Sequence, residues 1–162
     1  VILFCFYSLI HLKRCLPMDM YGYDAIYFIL LILCFAWGGD TCAYFAGRAF
    51  GKHKLAPRTS PKKSWEGFLA GLVASMLFWW GLTFIPGVVM SVPQALVFGL
   101  VCGLMGVLGD LAESRIKRNS GFKDSGTIMP GHGGAMDRFD SFLLVAPTFY
   151  LLIQVIPVIS YV

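Results

Sequence analysis

The hydrophobic positions of this chain gather in long, nearly uncharged stretches that short polar connections separate. The stretches cover residues 1–12, 23–47, 67–86, 93–112 and 141–160. A helix needs roughly 20 mostly apolar residues to cross the hydrocarbon core of a bilayer, and every stretch but the first has that length. The pattern predicts an all-α fold, a polytopic transmembrane helix bundle with about five spans, of which the first is incomplete.

Composition supports this interpretation. The chain has 162 residues, of which 57% are hydrophobic and only 14% are charged, and its mean hydropathy is +0.72. A soluble domain carries about a quarter charged residues, so soluble, disordered and secreted disulfide-rich classes are excluded. The five cysteines form no Cys-x-x-Cys pair, and we interpret them as small buried hydrophobic residues.

The beginning of the chain predicts a longer protein. Val1 stands where an initiator methionine would be, and Lys13 and Arg14 follow the first apolar stretch. A signal peptide has its positive charges before the apolar run. We therefore expect residues 1–162 to be the C-terminal portion of a single membrane-embedded domain, with further spans before it.

The positive charges fall mainly in two connections. Eleven of the 13 Lys and Arg residues lie between residues 47 and 66 or between residues 113 and 140, and residues 87–92 carry none. Because two helices separate the basic connections, both lie on one side of the membrane, and the positive-inside rule makes that side cytoplasmic. The compact loops favour a bacterial inner (plasma) membrane.

Two aspartates interrupt the apolar pattern. An aspartate in the middle of a spanning helix costs on the order of 3 kcal/mol, so such a carboxylate is a functional candidate. Asp40 follows Gly38 and Gly39 within one stretch, and Asp110 ends another. The alternative for Asp40 is that its flanking glycines end the helix early and leave the carboxylate near water.

Asp110 begins a polar helix face. At 100° per residue, Asp110, Glu113, Ser114 and Lys117 fall within an arc of roughly 100°, and Arg115 points away. This face carries two carboxylates, a hydroxyl and an ammonium from the membrane edge towards the cytoplasmic loop.

A glycine-rich segment precedes the last apolar stretch. Residues 130–134 read Pro-Gly-His-Gly-Gly. Glycines let backbone N–H groups approach an anion, and the start of the next helix carries partial positive charge, which suits phosphate binding by this segment and His132. Asp137 and Asp140 face the same way on a first helical turn, with Arg138 beside them. Capping of the last helix is the alternative role for both aspartates.

These groups together favour a metal site. Carboxylates from two elements accompany the glycine-rich segment and three basic side chains, Lys117, Arg118 and Lys123. Hard oxygen ligands in such surroundings suit a Mg²⁺ ion that bridges the phosphates of a nucleotide. The residues alone predict a metal-polyphosphate site at the cytoplasmic membrane face.

The first basic connection has two interpretations. Residues 60–67 read Ser-Pro-Lys-Lys-Ser-Trp-Glu-Gly, and Ser60, Lys62 and Lys63 are candidates for substrate contacts. The alternative is that Trp65 anchors the helix at the membrane interface and the lysines attract anionic lipid head groups.

The second half of the chain resembles the signature of phosphatidate cytidylyltransferases, also called CDP-diacylglycerol synthases. The matching positions span 27 residues and are Ser114-Arg115-Ile116-Lys117-Arg118, Lys123-Asp124-Ser125-Gly126, Pro130, His132-Gly133-Gly134 and Asp137-Arg138-Phe139-Asp140. Residues 40–51 and 60–67 are similar to a second stretch typical of this family. Met129 and Ala135 depart mildly from its usual residues, and family members have additional N-terminal spans.

The resemblance implies an integral membrane enzyme whose substrates are CTP and phosphatidate and whose cofactor is Mg²⁺. It leaves open whether a second cation binds and whether the protein forms a homo-oligomer. It implies no nucleic-acid partner. It implies that Asp110 and Asp137 are metal ligands and that Asp140 supports them or holds a second ion. The expected catalytic set is Asp110, Asp137, Lys123, His132 and Arg138. The expected substrate-binding set is Ser60, Lys62, Lys63, Ser114, Lys117, Arg118, Gly133 and Gly134.

Two rival functions stay open at this point. A transporter or channel would also carry intramembrane carboxylates such as Asp40 and Asp110. A CTP-dependent polyprenol or lipid kinase would release CDP instead of pyrophosphate. The sequence contains no P-loop, dinucleotide-binding, zincin or serine-elbow motif, which argues against those classes of enzyme.

Overall fold

The computed structural model describes residues 2–15, 24–57, 59–84, 90–121 and 139–156, including their side chains except those of residues 12–15 and 24–29. The elements in order are α1 (Ile2–Cys15), α2 (Asp24–Phe50), β1 (Lys54–Ala56), β2 (Ser60–Ser64), α3 (Trp65–Leu82), α4 (Val92–Asn119) and α5 (Phe142–Val155). The predicted helical bundle is confirmed. The described residues add a short antiparallel hairpin, β1–β2, that was not predicted.

Three of the described helices are long and apolar enough to cross a bilayer: Leu30–Phe50 within α2, Trp65–Leu82 and Val92–Asn119. The apolar helices at the two ends of the described chain are shorter. The last apolar stretch was predicted to run to residue 160, but α5 ends at Val155 and Ile156 is extended, with φ −118° and ψ 107°. Proline follows at position 157, and the residue before a proline is disfavoured in helical backbone.

Local signals set the starts of α3 and α4. The Ser64 hydroxyl accepts the Gly67 N–H at 3.2 Å and caps α3. The Gln94 side chain accepts the Ser91 N–H at 2.9 Å at the start of α4, and Pro93 lies in the first turn, where its missing N–H costs nothing.

The glycine pair before Asp40 does not end α2. The helix continues through Gly38 and Gly39 to Phe50, so the interpretation of an early helix end is wrong. Backbone groups inside a bilayer need internal partners, which favours an unbroken helix. Small residues on this part of α2 also pack closely on α3, where a Cβ added at Gly71 would lie 3.0 Å from the Ala43 Cβ.

An aromatic core joins α3, α4 and α5. The ring centroid of Trp79 lies 4.7 Å from that of Phe98 and 5.6 Å from that of Phe149, and all three side chains are buried. α3 and α4 approach closely beside this core, since a Cβ added at Gly99 would lie 2.7 Å from the Met76 Cα. Such close contact at a small residue packs membrane helices tightly.

Candidate functional site

Polar side chains from four elements meet at one end of the bundle. Asp40 belongs to α2, Lys63 to β2 and Asp110 to α4, whereas Asp140 and Ser141 directly precede α5. α2 and α4 each continue for about 14 Å beyond their aspartates, at about 1.5 Å per residue. The last turns of α2 and α4 therefore project past the cluster.

The polar face predicted from the sequence is present on α4. The Ser114 hydroxyl donates to Asp110 Oδ1 at 3.3 Å, and Lys117 Nζ lies 3.2 Å from Glu113 Oε1. Both pairs are spaced i,i+4, the separation at which side chains meet on a helix. Arg115 is exposed. The helical geometry assumed for these residues is confirmed.

The hairpin brings Lys63 to Asp110. Lys63 Nζ forms an ion pair with Asp110 Oδ2, and both side chains are largely buried. Successive residues of a strand point to opposite faces, and Lys62 is exposed. The hairpin therefore distinguishes two neighbouring lysines that the sequence could not tell apart.

Contacts at the start of α3 hold this hairpin in place. His53 Nδ1 lies 2.8 Å from Glu66 Oε1, and the His53 N–H also reaches that carboxylate at 3.2 Å. The Trp65 N–H donates to the His53 carbonyl at 3.0 Å. Since Lys63 lies just before these contacts, its backbone is fixed relative to α3.

Ser141 connects the start of α5 to α2. Its hydroxyl donates to Asp40 Oδ2 at 2.8 Å and lies 3.3 Å from Asp140 Oδ1. The Ser141 N–H donates to the same Asp140 oxygen at 2.6 Å. One Asp140 oxygen therefore accepts the N–H of Ser141, which is the N-cap residue of α5 and makes no side-chain capping hydrogen bond. This contact lies before the first helical turn, so it is not a helix cap.

The backbone of α4 touches this turn directly. A Cβ added at Gly109 would lie 2.7 Å from the Asp140 carbonyl oxygen and 3.4 Å from the Ser141 Cα. Real Cβ atoms do not come that close to a backbone oxygen, so the contact requires glycine at this position. Gly109 thereby places the Asp140 turn beside Asp110.

The carboxylates repel one another in this arrangement. Burial raises the pKa of Asp140 to about 6, and the negative charges of Asp110, Glu113 and Asp40 also raise it, against the lowering effect of the Ser141 N–H. Keeping Asp140 ionised at neutral pH thus costs free energy. A cation bound nearby would reduce that cost.

The donor chemistry fits a hard cation. Carboxylate and hydroxyl oxygens are the ligands that Mg²⁺ prefers, and Asp110 and Asp140 supply such oxygens from two elements. Within the described residues, no group of three His, Cys, Asp or Glu side chains is already arranged to hold a metal ion.

A narrow cleft runs from Asp40 and Ser141 into the bundle. Its volume is about 20 Å³, and its walls include Gly39, Ser75 and Gly106. That volume holds about one water molecule. A nucleotide or a lipid head group is far larger, so such a ligand would have to approach the cluster from outside this cleft.

The predicted site residues fall into three groups. Those that the structure brings together or places on the same helix face are Lys63, Asp110, Ser114, Lys117 and Asp140. A second group makes no hydrogen bond or ion pair with Asp110 or Asp140 within the described part of the chain, and it consists of Ser60, Lys62 and Arg118. Those that lie outside the described residues are Lys123, His132, Gly133, Gly134, Asp137 and Arg138.

Sequence reasoning missed the partners of Asp40 and the role of Gly109. Asp40 was a candidate without a partner, and its contact with Ser141 joins residues 101 positions apart in sequence. Gly109 lies directly before Asp110, which was a local signal for close backbone approach. No local signal pointed to Ser141.

Comparison with known proteins agrees with the resemblance. Residues 1–156 match the model of the cytidylyltransferase family. The chain is 39% identical over 149 residues to a protein of Bacillus subtilis (strain 168) named phosphatidate cytidylyltransferase, covering 92% of this chain and 53% of that protein. Proteins of the same name in Staphylococcus haemolyticus (strain JCSC1435) and Staphylococcus aureus (strain COL) are 43% and 44% identical, each over 130 residues that cover 80% of this chain and 50% of the relative. The chain thus spans about half the length of these relatives.

Proposed function

This chain belongs to the cytidylyltransferase family, and on that premise we propose that its full-length protein is a phosphatidate cytidylyltransferase. The enzyme would join CTP to phosphatidate and release CDP-diacylglycerol and pyrophosphate. The proposal rests on one observation: Lys63, Asp110 and Asp140 lie close together at one end of an apolar helix bundle. This end is continuous in sequence with the glycine-rich segment.

The reaction requires little acid–base chemistry from the protein. A phosphatidate phosphate oxygen, already anionic at neutral pH, attacks the α-phosphorus of CTP. The new P–O bond forms as the bond between the α-phosphorus and the bridging oxygen to the β-phosphate breaks, and pyrophosphate leaves with both electrons of that bond. Both reactants are polyanions, so charge neutralisation and in-line alignment are the main tasks of the site.

We propose that Asp110 and Asp137 hold the Mg²⁺ ion and that Asp140 supports them. Asp137 is three residues from Asp140 in sequence, so the chain cannot place the two Cα atoms more than about 11 Å apart. Asp140 in turn lies against Gly109, the neighbour of Asp110. When bound, Mg²⁺ would neutralise phosphate charge and hold the α-phosphate for attack.

Basic side chains would bind the phosphates around this ion. Lys63 lies in the cluster already, and Lys117 extends from the same face of α4 as Asp110. Ser114 orients Asp110 through its hydroxyl. The remaining proposed phosphate contacts are Ser60, Lys62, Arg118, Lys123, His132, Gly133, Gly134 and Arg138.

The protein would work at the cytoplasmic face of a bacterial plasma membrane. Three described helices can cross a bilayer by length and composition, and the basic side chains of Lys63 and Lys117 lie beside carboxylates at one end of the bundle. The positive-inside rule makes that side cytoplasmic, where CTP is available. Phosphatidate would reach the same site from the inner leaflet.

The direct test is to identify the product of CTP in the full-length protein. We expect pyrophosphate release that requires both phosphatidate and Mg²⁺, with one CDP-diacylglycerol formed for each pyrophosphate. Detergent-solubilised protein, radiolabelled CTP and thin-layer separation of the lipid would measure both products. Release of CDP would instead show a kinase, and ion flux without nucleotide turnover would show a channel.

Replacing Lys63 tests the hairpin contribution. We expect Lys63→Met to lower kcat/KM for CTP on the order of 10²-fold, because Asp110 loses its ammonium partner and the phosphates lose a positive charge. Lys54→Met is the matched control, since Lys54 is an exposed lysine of the partner strand, and it should stay within about twofold of the unchanged protein. Equal activity of the two variants would contradict a role for Lys63.

A further inference from the structure

The Ser141 hydroxyl lies between two carboxylates and has a single proton to donate. Asp40 Oδ2 is the nearer acceptor at 2.8 Å, and Asp140 Oδ1 lies at 3.3 Å. A serine hydroxyl donates one hydrogen bond. The shorter contact therefore directs the proton to Asp40, and Asp140 Oδ1 keeps the Ser141 N–H at 2.6 Å as its donor.

Ser141 has little freedom to move. It is 4% exposed, and its backbone packs against Gly109, where an added Cβ would lie 3.4 Å from the Ser141 Cα. The contact with Asp40 is a hydrogen bond that ties this turn to α2.

We propose that Asp40 is a positioning residue that acts through Ser141. It accepts the Ser141 hydroxyl, fixes the turn before α5 against α2, and so sets the direction in which Asp140 presents its second oxygen to the cation. The inference rests on the proposed function, since the cation site belongs to that function. Asp40 itself contacts neither substrate nor cation in this account.

A direct electrostatic role is the competing explanation. The charge of Asp40 lies within range of Lys63 and Asp110, so it could act as a third acidic group of the site. The two roles differ in what they need from Asp40. Positioning needs an oxygen that accepts the Ser141 hydroxyl, whereas a direct role needs the negative charge.

Four variants of the full-length protein separate these roles. Asp40→Asn keeps an acceptor oxygen and removes the charge, Asp40→Ala removes both, and Ser141→Ala removes the donor. The double variant Asp40→Ala/Ser141→Ala tests whether the two residues act together. Ser75→Ala is the matched control, because Ser75 is a buried serine of the same cleft that makes no hydrogen bond to these carboxylates among the described residues.

The primary readout is Mn²⁺ binding without substrate, measured by electron paramagnetic resonance on detergent-solubilised protein. We expect Asp40→Ala and Ser141→Ala each to weaken Mn²⁺ binding about 10- to 100-fold. The double variant should be no weaker than either single variant, since both remove the same contact. Asp40→Asn and Ser75→Ala should stay within about threefold of the unchanged protein.

The opposite pattern would overturn the inference. If Asp40→Asn weakens Mn²⁺ binding as much as Asp40→Ala while Ser141→Ala binds normally, Asp40 acts by its charge. Asp40→Asn and Ser141→Ala decide the question even if Asp40→Ala does not fold. The product assay keeps the two proposals separate: pyrophosphate release with normal Mn²⁺ binding in Ser141→Ala defeats the positioning role alone. If the variants show the expected Mn²⁺ binding but the unchanged protein releases no pyrophosphate, only the cytidylyltransferase function is refuted.

Discussion

Replacing Asp110 with Asn is expected to lower kcat/KM for CTP on the order of 10³-fold in the full-length protein. The substitution keeps the size of the side chain and its hydrogen bond with Ser114, which donates to Asp110 Oδ1 at 3.3 Å. It removes the negative charge that pairs with Lys63 and that would bind the cation. Pyrophosphate release at several CTP and Mg²⁺ concentrations would measure the loss.

Asp137→Asn is expected to cause a loss of similar size. If both carboxylates hold one ion, the double variant should be little worse than either single variant, because groups that act as a unit lose their function together. Asp19→Asn is the control, a carboxylate outside every candidate motif. A double variant whose loss of kcat/KM equals the product of the two single losses would argue against a shared ion. Retained activity in either single variant would argue against it as well.

Gly109→Ala is expected to disrupt the site through packing alone. The new Cβ would lie 2.7 Å from the Asp140 carbonyl oxygen, and a backbone atom cannot yield as a flexible side chain would. Overpacking of this kind costs about 1–3 kcal/mol. We expect a lower melting temperature in thermal unfolding of the detergent-solubilised protein and a loss of pyrophosphate release on the order of 10²-fold.

Gly38→Ala provides the matched control for that variant. Gly38 is also a helical glycine, and a Cβ added there meets no atom within 4 Å in the described part of the chain. Alanine favours helix over glycine by about 1 kcal/mol, so this variant should keep its activity, and its melting temperature should stay the same or rise. Equal behaviour of the two alanine variants would show that the contact between α4 and the Asp140 turn is unimportant.

The helical parts of the site could be predicted from the sequence because their geometry is local. The face from Asp110 to Lys117 follows from the helical period, and the i,i+4 contacts of α4 confirm it. The apolar stretches predicted the helices for the same reason, since the length of an apolar run decides whether it can cross a bilayer. The end of α5 at Val155 was not predicted, because the apolar stretch continues to residue 160 and proline at position 157 acts on the residue before it.

The hairpin could not be predicted in the same way. Residues 60–64 read Ser-Pro-Lys-Lys-Ser, without the alternating apolar residues that mark a strand. The hairpin is instead held by His53, Glu66 and the start of α3. For this reason the different positions of Lys62 and Lys63 could be found only in three dimensions.

Long-range contacts lie beyond any local pattern. The hydrogen bond between Asp40 and Ser141 joins α2 to the start of α5 across 101 positions. The continuation of α2 through Gly38 and Gly39 also depends on surroundings, since isolated glycines weaken a helix but the bilayer and the contact with α3 favour it. Helix propensity alone therefore led to the wrong interpretation that the glycines before Asp40 end the helix.

The most direct measurement is an experimental structure of the full-length protein with Mn²⁺, in which anomalous scattering locates the ion. We predict one peak that lies about 2.1 Å from an oxygen of Asp110 and of Asp137, or one bound water away from either of them. Carboxylates too far apart to share an ion or its water ligands, or an ion on the opposite side of the membrane from Lys63, would contradict the account.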